Sequence, residues 1–157
     1  MKNSGLSENI IEEIAKRLPL PLAIVISEEI ARELSEAVMK QAKLATKMVT
    51  LVEKVFTGEL EILRVKGRGT VRELIIITDS PNYVFHTMID DRVAYNHSYD
   101  ELLKLSDLME DLDVITENSN YILRVSKISF INEFRCVLKS TQPVKLSKAV
   151  ALYDIFT

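Results

Sequence analysis

The spacing of apolar residues changes along the chain, from a helical period before about Ala45 to alternation after it. Apolar side chains three and four positions apart line one face of a helix, whereas alternate positions line one face of a strand. The change therefore predicts a helical N-terminal segment followed by a β domain.

Two helices are predicted in the N-terminal segment. Ser7 can cap a short first helix, which must end before Pro19 because proline cannot continue a helix and restricts the residue before it. Ser27 can cap the second helix, since acidic residues follow it where the helix dipole favours them. One face of this helix repeats at three and four positions: Ile30, Leu34, Ala37, Val38, Gln41, Leu44 and Ala45. Such a stripe must be buried on its own sheet or on another subunit.

Residues 47–57 permit two interpretations. β-branched residues accumulate there and Gly58 follows, which favours a strand that ends at this glycine. Met48, Leu51 and Val55 also continue the helical spacing. A helix extending to Val55 would be a coiled-coil candidate with Gln41 as its polar seam residue. The β propensity of the segment favours the strand.

Beyond Gly58 the pattern predicts short strands separated by turns. The predicted strands are 59–66, 71–78, 83–89, 93–95, 113–116, 120–128, 132–138 and 144–153. Residues 99–105 have the spacing of a short helix. In the strand from residue 132, Phe134, Cys136 and Leu138 alternate with mostly polar neighbours, which is typical of an antiparallel sheet with one wet face. We therefore expect a mainly β protein with N-terminal α-helices, comprising a two-helix extension at 1–45 and an antiparallel, jelly-roll-like β-sandwich at 46–157.

Composition supports a packed globular protein, because 47% of the 157 residues are hydrophobic and 27% are charged. The net charge of −3 provides no general attraction to nucleic acid or an anionic membrane. A single cysteine, Cys136, cannot form an internal disulfide and fits a reducing compartment. The apolar stretch 18–26 is about half of the ~20 residues that a membrane span requires, and the mixed charges before it do not suit a signal peptide. The expected location is the cytoplasm or a virus particle.

The sequence contains no phosphate-binding, dinucleotide-binding, nucleophile-elbow or metalloprotease motif, so we predict no catalytic residue, no cofactor and no enzyme. His86, in a strand, and His97, in the loop after Tyr95, could join Cys136 as metal ligands, but their spacing matches no compact zinc pattern. The densest acidic region lacks the EF-hand spacing, so no metal site is predicted there either. Its members are Asp90, Asp91, Asp100, Asp107, Glu110, Asp111 and Asp113.

Two further groups of residues have a possible binding role. Basic residues gather along one predicted hairpin without aromatic residues that could stack on bases, so no nucleic-acid partner is predicted. They are Arg64, Lys66, Arg68 and Arg72. A set of aromatic residues could form a platform for sugars, although aromatic residues in strands usually pack in the core or across strands. They are Tyr83, Phe85, Tyr95, Tyr99 and Tyr121.

The order of several segments resembles the jelly-roll domains of phage and archaeal-virus particle proteins. The segments are VFTGEL at 55–60, ELIIITD at 73–79, the strand and turn at 83–91, YILRV at 121–125 and ISF at 128–130. The resemblance covers roughly residues 47–153 and carries no functional residue. It implies a building block that assembles into rings, trimers or shells, and such domains sometimes bind host glycans.

We therefore expect a non-enzymatic structural or assembly protein of viral or proviral origin. It would form homo-oligomers through its N-terminal helices or its sheet edges. The alternative is a β-sandwich module that binds carbohydrate or another ligand with aromatic and acidic residues at one end. Neither expectation includes a membrane or a nucleic acid as partner.

Overall fold

The computed structural model describes residues 30–33 and 44–156 of the chain. Residues 30–33 are helical. The predicted first helix and residues 34–43 of the predicted second helix lie outside the described residues. The expectation that the second helix includes Leu44 and Ala45 is wrong, because both belong to a strand that begins at Leu44 and pairs along its length with the C-terminal strand. Residues 44–156 form one compact unit. In the part of the chain that the structure describes, no helix has both the length and the apolar character needed to cross a bilayer.

The compact unit consists of seven strands and one helix. They are β1 (Leu44–Lys66), β2 (Gly69–Thr78), β3 (Val84–Ile89), β4 (Arg92–Ser98), α1 (Tyr99–Ser106), β5 (Leu112–Glu117), β6 (Asn120–Phe130) and β7 (Glu133–Phe156). Every strand pair is antiparallel. The expectation of a mainly antiparallel β protein is therefore confirmed, and the strand interpretation of residues 47–57 is confirmed with it.

The strands form one curled, open sheet in the order β4-β3-β7-β2-β6-β5, and β1 pairs with β7 in addition. Strand β7 pairs with three other strands of this sheet. Its first half pairs with β3, from Phe134 to Lys139, and its second half pairs with β2, from Leu146 to Ile155. Strand β1 accompanies β7 over nearly its whole length.

The two longest strands correct two predicted breaks. Gly58 was expected to end a strand, and residues 140–143 were expected to form a turn, yet β1 and β7 run through both positions. The pairing register of β1 and β7 shifts between Phe56 and Gly58: Phe56 pairs with Val144, whereas Gly58 pairs with Ser140. Gly58 has a φ of +87°, which glycine adopts at little cost. The extra residues on β7 form a bulge, so they bend the ribbon without ending it.

The core lies on one face of the sheet, where paired residues form continuous rows across five strands. One row is Val49, Ala151, Leu74, Val125 and Leu112, and the next is Leu51, Ala149, Ile76, Leu123 and Val114. All of these side chains are buried or pack against the buried cluster. The predicted inward positions in β7 are confirmed, since Phe134, Cys136 and Leu138 are fully buried, but Val137, predicted on the wet face, is buried as well.

Helix α1 connects β4 to β5 and confirms the helix predicted at residues 99–105. Ser98 caps its N-terminus, where the side chain accepts a hydrogen bond from the Glu101 amide. Tyr99 and Leu102 are buried on its inner face. His97 was expected in a loop but lies in β4, because the strand continues from Arg92 directly into this cap.

Candidate self-association surface

The outer edge of β1 is the first part of the candidate surface. Between Leu44 and Lys54 this strand pairs with β7 on one side, and no other strand within residues 44–156 pairs with it. Only one charged residue, Lys47, occurs from Leu44 to Val52. A long edge strand with few charges and no proline presents unpaired N–H and C=O groups to another chain.

The other edges of the described sheet are better protected. Strand β4 has seven residues and β5 has six, whereas β1 has 23. Short edge strands offer few backbone groups, and β5 also has Asp113 and Glu117. The β1 edge is therefore the better candidate for pairing with another strand.

The second part of the surface is the sheet face opposite the core. Pairing places Val52, Lys148, Ile77, Ile122 and Ile115 in one row across five strands. Neighbouring positions on the same face add four more apolar residues. The apolar members of this outer face are Met48, Val52, Ile75, Ile77, Ile115, Ile122, Val150 and Leu152.

Three residues of this outer face are largely exposed: Met48 by 69%, Val52 by 53% and Ile115 by 50%. The others are half-buried against one another. Side chains alternate between the two faces of a strand, so Met48 and Val52 point away from the core that Val49 and Leu51 contact. Lys148 lies between Val52 and Ile77 in their row, so in this row the face presents one apolar group on β1 and another on β2, β6 and β5. Exposed apolar groups of this kind are typical of an interaction surface.

Charged groups also lie on the outer face. Arg124 forms an ion pair with Glu73 and lies 3.9 Å from Asp113. At the other end, Asp154 accepts hydrogen bonds from Thr46 Oγ1 at 2.6 Å and from Arg72 Nε at 2.5 Å. The hydrogen bonds from Thr46 and Arg72 hold the pKa of Asp154 below its usual value of 3.8, although partial desolvation opposes them. These contacts fix β1 against β7 and β2 at the start of its free edge.

Glu53 lies near the end of the β1 segment from Leu44 to Lys54. Its φ of +51° is in the left-handed region, which is uncommon for residues other than glycine. The carboxylate lies 2.8 Å from Lys145 Nζ on β7, and this hydrogen bond raises the pKa of Lys145. The free edge therefore has a cation, Lys47, near one end and an anion, Glu53, near the other.

The three candidate metal ligands are not brought together. His86 Nδ1 is 3.2 Å from Asn96 Oδ1, and His97 Nδ1 is 3.0 Å from Glu101 Oε2. Cys136 is fully buried, and desolvation raises the pKa of its thiol well above the usual range. Among the described residues, no three His, Cys, Asp or Glu side chains lie in a metal-binding group.

The acidic residues that sequence analysis singled out have separate structural partners. Asp90 accepts hydrogen bonds from the backbone N–H groups of Ile131, Asn132 and Glu133. Asp100 is in the first turn of α1, where the helix dipole favours an acid, and Asp107 is its C-cap residue. Asp111 lies 3.5 Å from Lys127. These carboxylates stabilise turns, a helix and ion pairs at several places.

The basic residues of the β1–β2 hairpin are also dispersed. Arg64 pairs with Glu133 at 3.3 Å and Arg72 with Asp154, while the Arg68 guanidinium lies 5.5 Å from the centre of the Phe156 ring. Two of these cations are thus neutralised by carboxylates on β7, and the arrangement does not converge on a phosphate site.

Most of the aromatic residues belong to the interior. Tyr83, Phe85 and Tyr99 are exposed by 3% or less, so they cannot stack on a sugar at the surface. The Tyr99 ring contacts the rings of Tyr83 and Tyr121 edge to face, with centroids 6.1 and 5.4 Å away. The predicted sugar platform is therefore wrong for Tyr83, Phe85 and Tyr99, because Tyr83 packs against Tyr99 and Phe85 packs against Tyr95 in the interior.

An open cleft of about 450 Å³ with a mixed polar and apolar lining is located beside this aromatic cluster. Asn82, Gln142, Ser98 and Asp100 are among the residues that line it. Asn82 Nδ2 is 3.4 Å from Gln142 Oε1, and Ser140 Oγ is within 2.7 Å of the carbonyl oxygens of Asn82 and Gln142. Sequence analysis treated both segments as turns and missed this cleft.

Sequence analysis also missed the outer apolar face, although a signal was present. Residues 74–77 are Leu-Ile-Ile-Ile, which lacks the polar alternation of a strand with one wet face. A continuous apolar strand indicates that both faces are covered. In this sheet the core covers Leu74 and Ile76, whereas Ile75 and Ile77 belong to the outer face.

Within residues 44–156, fold and surface together define an antiparallel β protein whose 23-residue strand β1 has an unpaired edge and adjoins an outer face with exposed apolar residues. No protein-family model matches the chain, and no curated protein matches it either. Its function is therefore inferred from its own residues and geometry.

Proposed function

We propose that this protein is a non-enzymatic structural protein that self-associates through the outer apolar face and the free edge of β1. One observation supports this proposal most directly: the 23-residue strand β1 has an unpaired edge within residues 44–156, and exposed apolar residues lie on the outer face of β1 and of β5. Burial of this face and pairing of this edge both lower the free energy of an assembly.

A homo-oligomer satisfies both features at once. Most soluble oligomers contain copies of one chain, and a self-complementary surface closes into a symmetric particle. Strand addition supplies partners for the backbone groups of β1, and apolar contact removes Met48, Val52 and Ile115 from water. The N-terminal helices, also predicted to act in oligomerisation, would add to such an assembly.

The proposal extends to a particle of viral or proviral origin. The resemblance to jelly-roll domains of virus particle proteins supports this origin, and so does the antiparallel architecture. In this proposal the two halves of the curled sheet, joined by the bent β1–β7 ribbon, are the two layers of a jelly-roll-like sandwich. The bulge at Gly58 is the kind of corner at which strands pass between layers.

Light scattering coupled to size-exclusion chromatography tests the proposal, together with negative-stain imaging. The wild-type chain should form a discrete oligomer. The variant Ile115→Lys should reduce the oligomer mass, because a charge on the outer face would be desolvated on assembly. The matched control is Leu108→Lys, since Leu108 is 83% exposed outside this face and its substitution should leave the mass unchanged. A monomeric wild-type chain at all concentrations would refute self-association.

A second candidate function is binding of carbohydrate in the cleft beside the aromatic cluster. The cleft is concave and presents amides, a carboxylate and hydroxyl groups from Asn82, Gln142, Asp100 and Ser98, which are groups that hydrogen-bond sugars. A glycan array with and without calcium tests this candidate. Binding that Asn82→Ala and Gln142→Ala abolish would support it, and an array without hits would remove it.

A further inference from the structure

We infer that a second copy of this chain pairs with the free edge of β1 in antiparallel orientation, with a two-fold axis at Thr50. This inference rests on the proposed self-association and specifies its contact. Facing residues of antiparallel strands point to the same side of the sheet. For two identical strands related by a two-fold axis perpendicular to the sheet, one residue must therefore face its own copy, and the axis passes midway between these two residues.

Charge complementarity selects Thr50. With the axis at this residue, Lys47 faces Glu53 of the second copy, and the symmetric pair forms as well. Opposite charges that face each other across antiparallel strands stabilise the pairing. Lys47, Thr50 and Glu53 are all exposed.

Apolar residues match in the same register. Met48 faces Val52 of the second copy, and Val49 faces Leu51. Because the axis is perpendicular to the sheet, the outer faces of both copies lie on the same side. Met48 and Val52 of the two copies then form one cluster around Thr50, which removes the two most exposed apolar residues between Leu44 and Val52 from water.

Neighbouring registers lack this match. An axis at Val49 places Lys47 opposite Leu51 and Leu44 opposite Lys54, and an axis at Leu51 places Lys47 opposite Val55 and Met48 opposite Lys54. Each alternative leaves a lysine facing an apolar side chain and forms neither Lys47–Glu53 pair. The left-handed backbone of Glu53 ends the regular segment, so backbone pairing extends from Met48 to Val52 and the two Lys47–Glu53 pairs lie at its ends.

Disulfide cross-linking tests the axis. Facing residues of antiparallel strands have Cα atoms about 4.5–5.5 Å apart, within the range that a disulfide requires. The variant Thr50→Cys should give a covalent dimer under mild oxidation. The buried thiol of Cys136 should not compete. The matched control is Leu44→Cys on the same strand, which faces Phe56 of the second copy and should stay uncross-linked.

A charge exchange tests the register independently. Lys47→Glu and Glu53→Lys each place like charges opposite each other twice, and each should raise the dimer dissociation constant roughly tenfold. The double variant restores opposite charges and should recover most of the affinity. Lys145→Ala is the control for the loss of the Glu53–Lys145 contact within one copy.

The outcomes separate this inference from the proposed function. Cross-linking at Thr50 together with rescue by the double variant supports the register. An oligomer in which Thr50→Cys stays uncross-linked and the double variant is no better than the single ones would overturn the register and leave self-association intact. A wild-type chain that is monomeric at every concentration would overturn both. Far-UV circular dichroism of each variant confirms that its fold is retained.

Discussion

The hydroxyl of Thr46 donates a hydrogen bond of 2.6 Å to Asp154, which is 108 residues further along the chain. The same carboxylate accepts a hydrogen bond from Arg72. The side chain of Asp154 therefore connects β7 to both β1 and β2. These contacts hold the beginning of the free edge in place. The order of β1, and with it the candidate surface, depends in part on this carboxylate.

Acid should weaken the fold through Asp154. Its pKa is lower in the folded protein than the ordinary 3.8, so its contribution to stability is present above that value and is lost as the pH falls through the folded pKa. Asp154→Asn should lower the melting temperature at neutral pH and reduce the further loss below about pH 4. Thermal unfolding followed by circular dichroism across this range measures both effects. Glu117→Gln removes one exposed negative charge and is the control; an identical pH profile for both variants would contradict the assignment.

Asp90 should act as an anchor for the turn between β6 and β7. Its carboxylate accepts hydrogen bonds from the amides of Ile131, Asn132 and Glu133 at 3.0, 2.6 and 3.0 Å. These backbone bonds lower its pKa, so this contribution is also lost in acid below the ordinary 3.8. Asp90→Asn tolerates the left-handed backbone at this position but removes the charge, and it should speed amide hydrogen exchange at residues 131–133. Asp91→Asn, the same change at the other residue between β3 and β4, should leave the exchange at residues 131–133 unchanged.

Two neighbouring residues of β2 should respond differently to truncation. Leu74 is fully buried, so Leu74→Ala should lower the free energy of unfolding by about 2–5 kcal/mol through lost burial and a cavity. Ile75 faces outward, and Ile75→Ala should cost about 1 kcal/mol or less in the monomer while weakening self-association. Urea unfolding at low protein concentration gives the first quantity, and light scattering gives the second. Equal losses of stability would mean that both faces of β2 are packed within one chain.

Removal of the hydroxyl group should change the stability of the protein differently at two buried tyrosines. Among the described residues, the buried Tyr83 hydroxyl has no partner within hydrogen-bond distance, and burial raises the pKa of Tyr83 well above its usual range. Tyr83→Phe should therefore be neutral or raise stability by up to about 1 kcal/mol. Tyr99 donates to the Ile115 carbonyl at 3.0 Å, so Tyr99→Phe should lower stability by about 1 kcal/mol. Chemical denaturation of both variants checks the contrast, and a destabilised Tyr83→Phe would indicate an unrecognised partner of that hydroxyl.

Local sequence patterns predicted a strand or helix correctly where one kind of pattern was dominant. The β-branched run at 47–57 is a strand, the helix after Ser98 has its cap, and Phe134, Cys136 and Leu138 face the core as their alternation indicates. Period and capping depend on nearby residues, so the sequence contains what is needed to identify them.

Predictions failed where distant residues determine the outcome. Gly58 and Pro143 usually interrupt a strand, yet β1 and β7 are long enough to hold each other together across a bulge. His97 was placed in a loop, because the pairing with Phe85 that extends β4 is not visible in the local sequence. The aromatic residues were offered as a surface platform and are mostly buried, since burial depends on how the sheet curls.

The sequence by itself determined that this chain forms antiparallel strands with an apolar core, since alternation and β propensity are properties of neighbouring residues. Only the tertiary structure decided which strands lie side by side. Pairing from Val52 through Lys148 and Ile77 to Ile115 joins residues that are far apart in sequence, and this pairing creates the outer apolar face. The free edge of β1 is likewise a property of strand order, which is set by contacts across the whole domain.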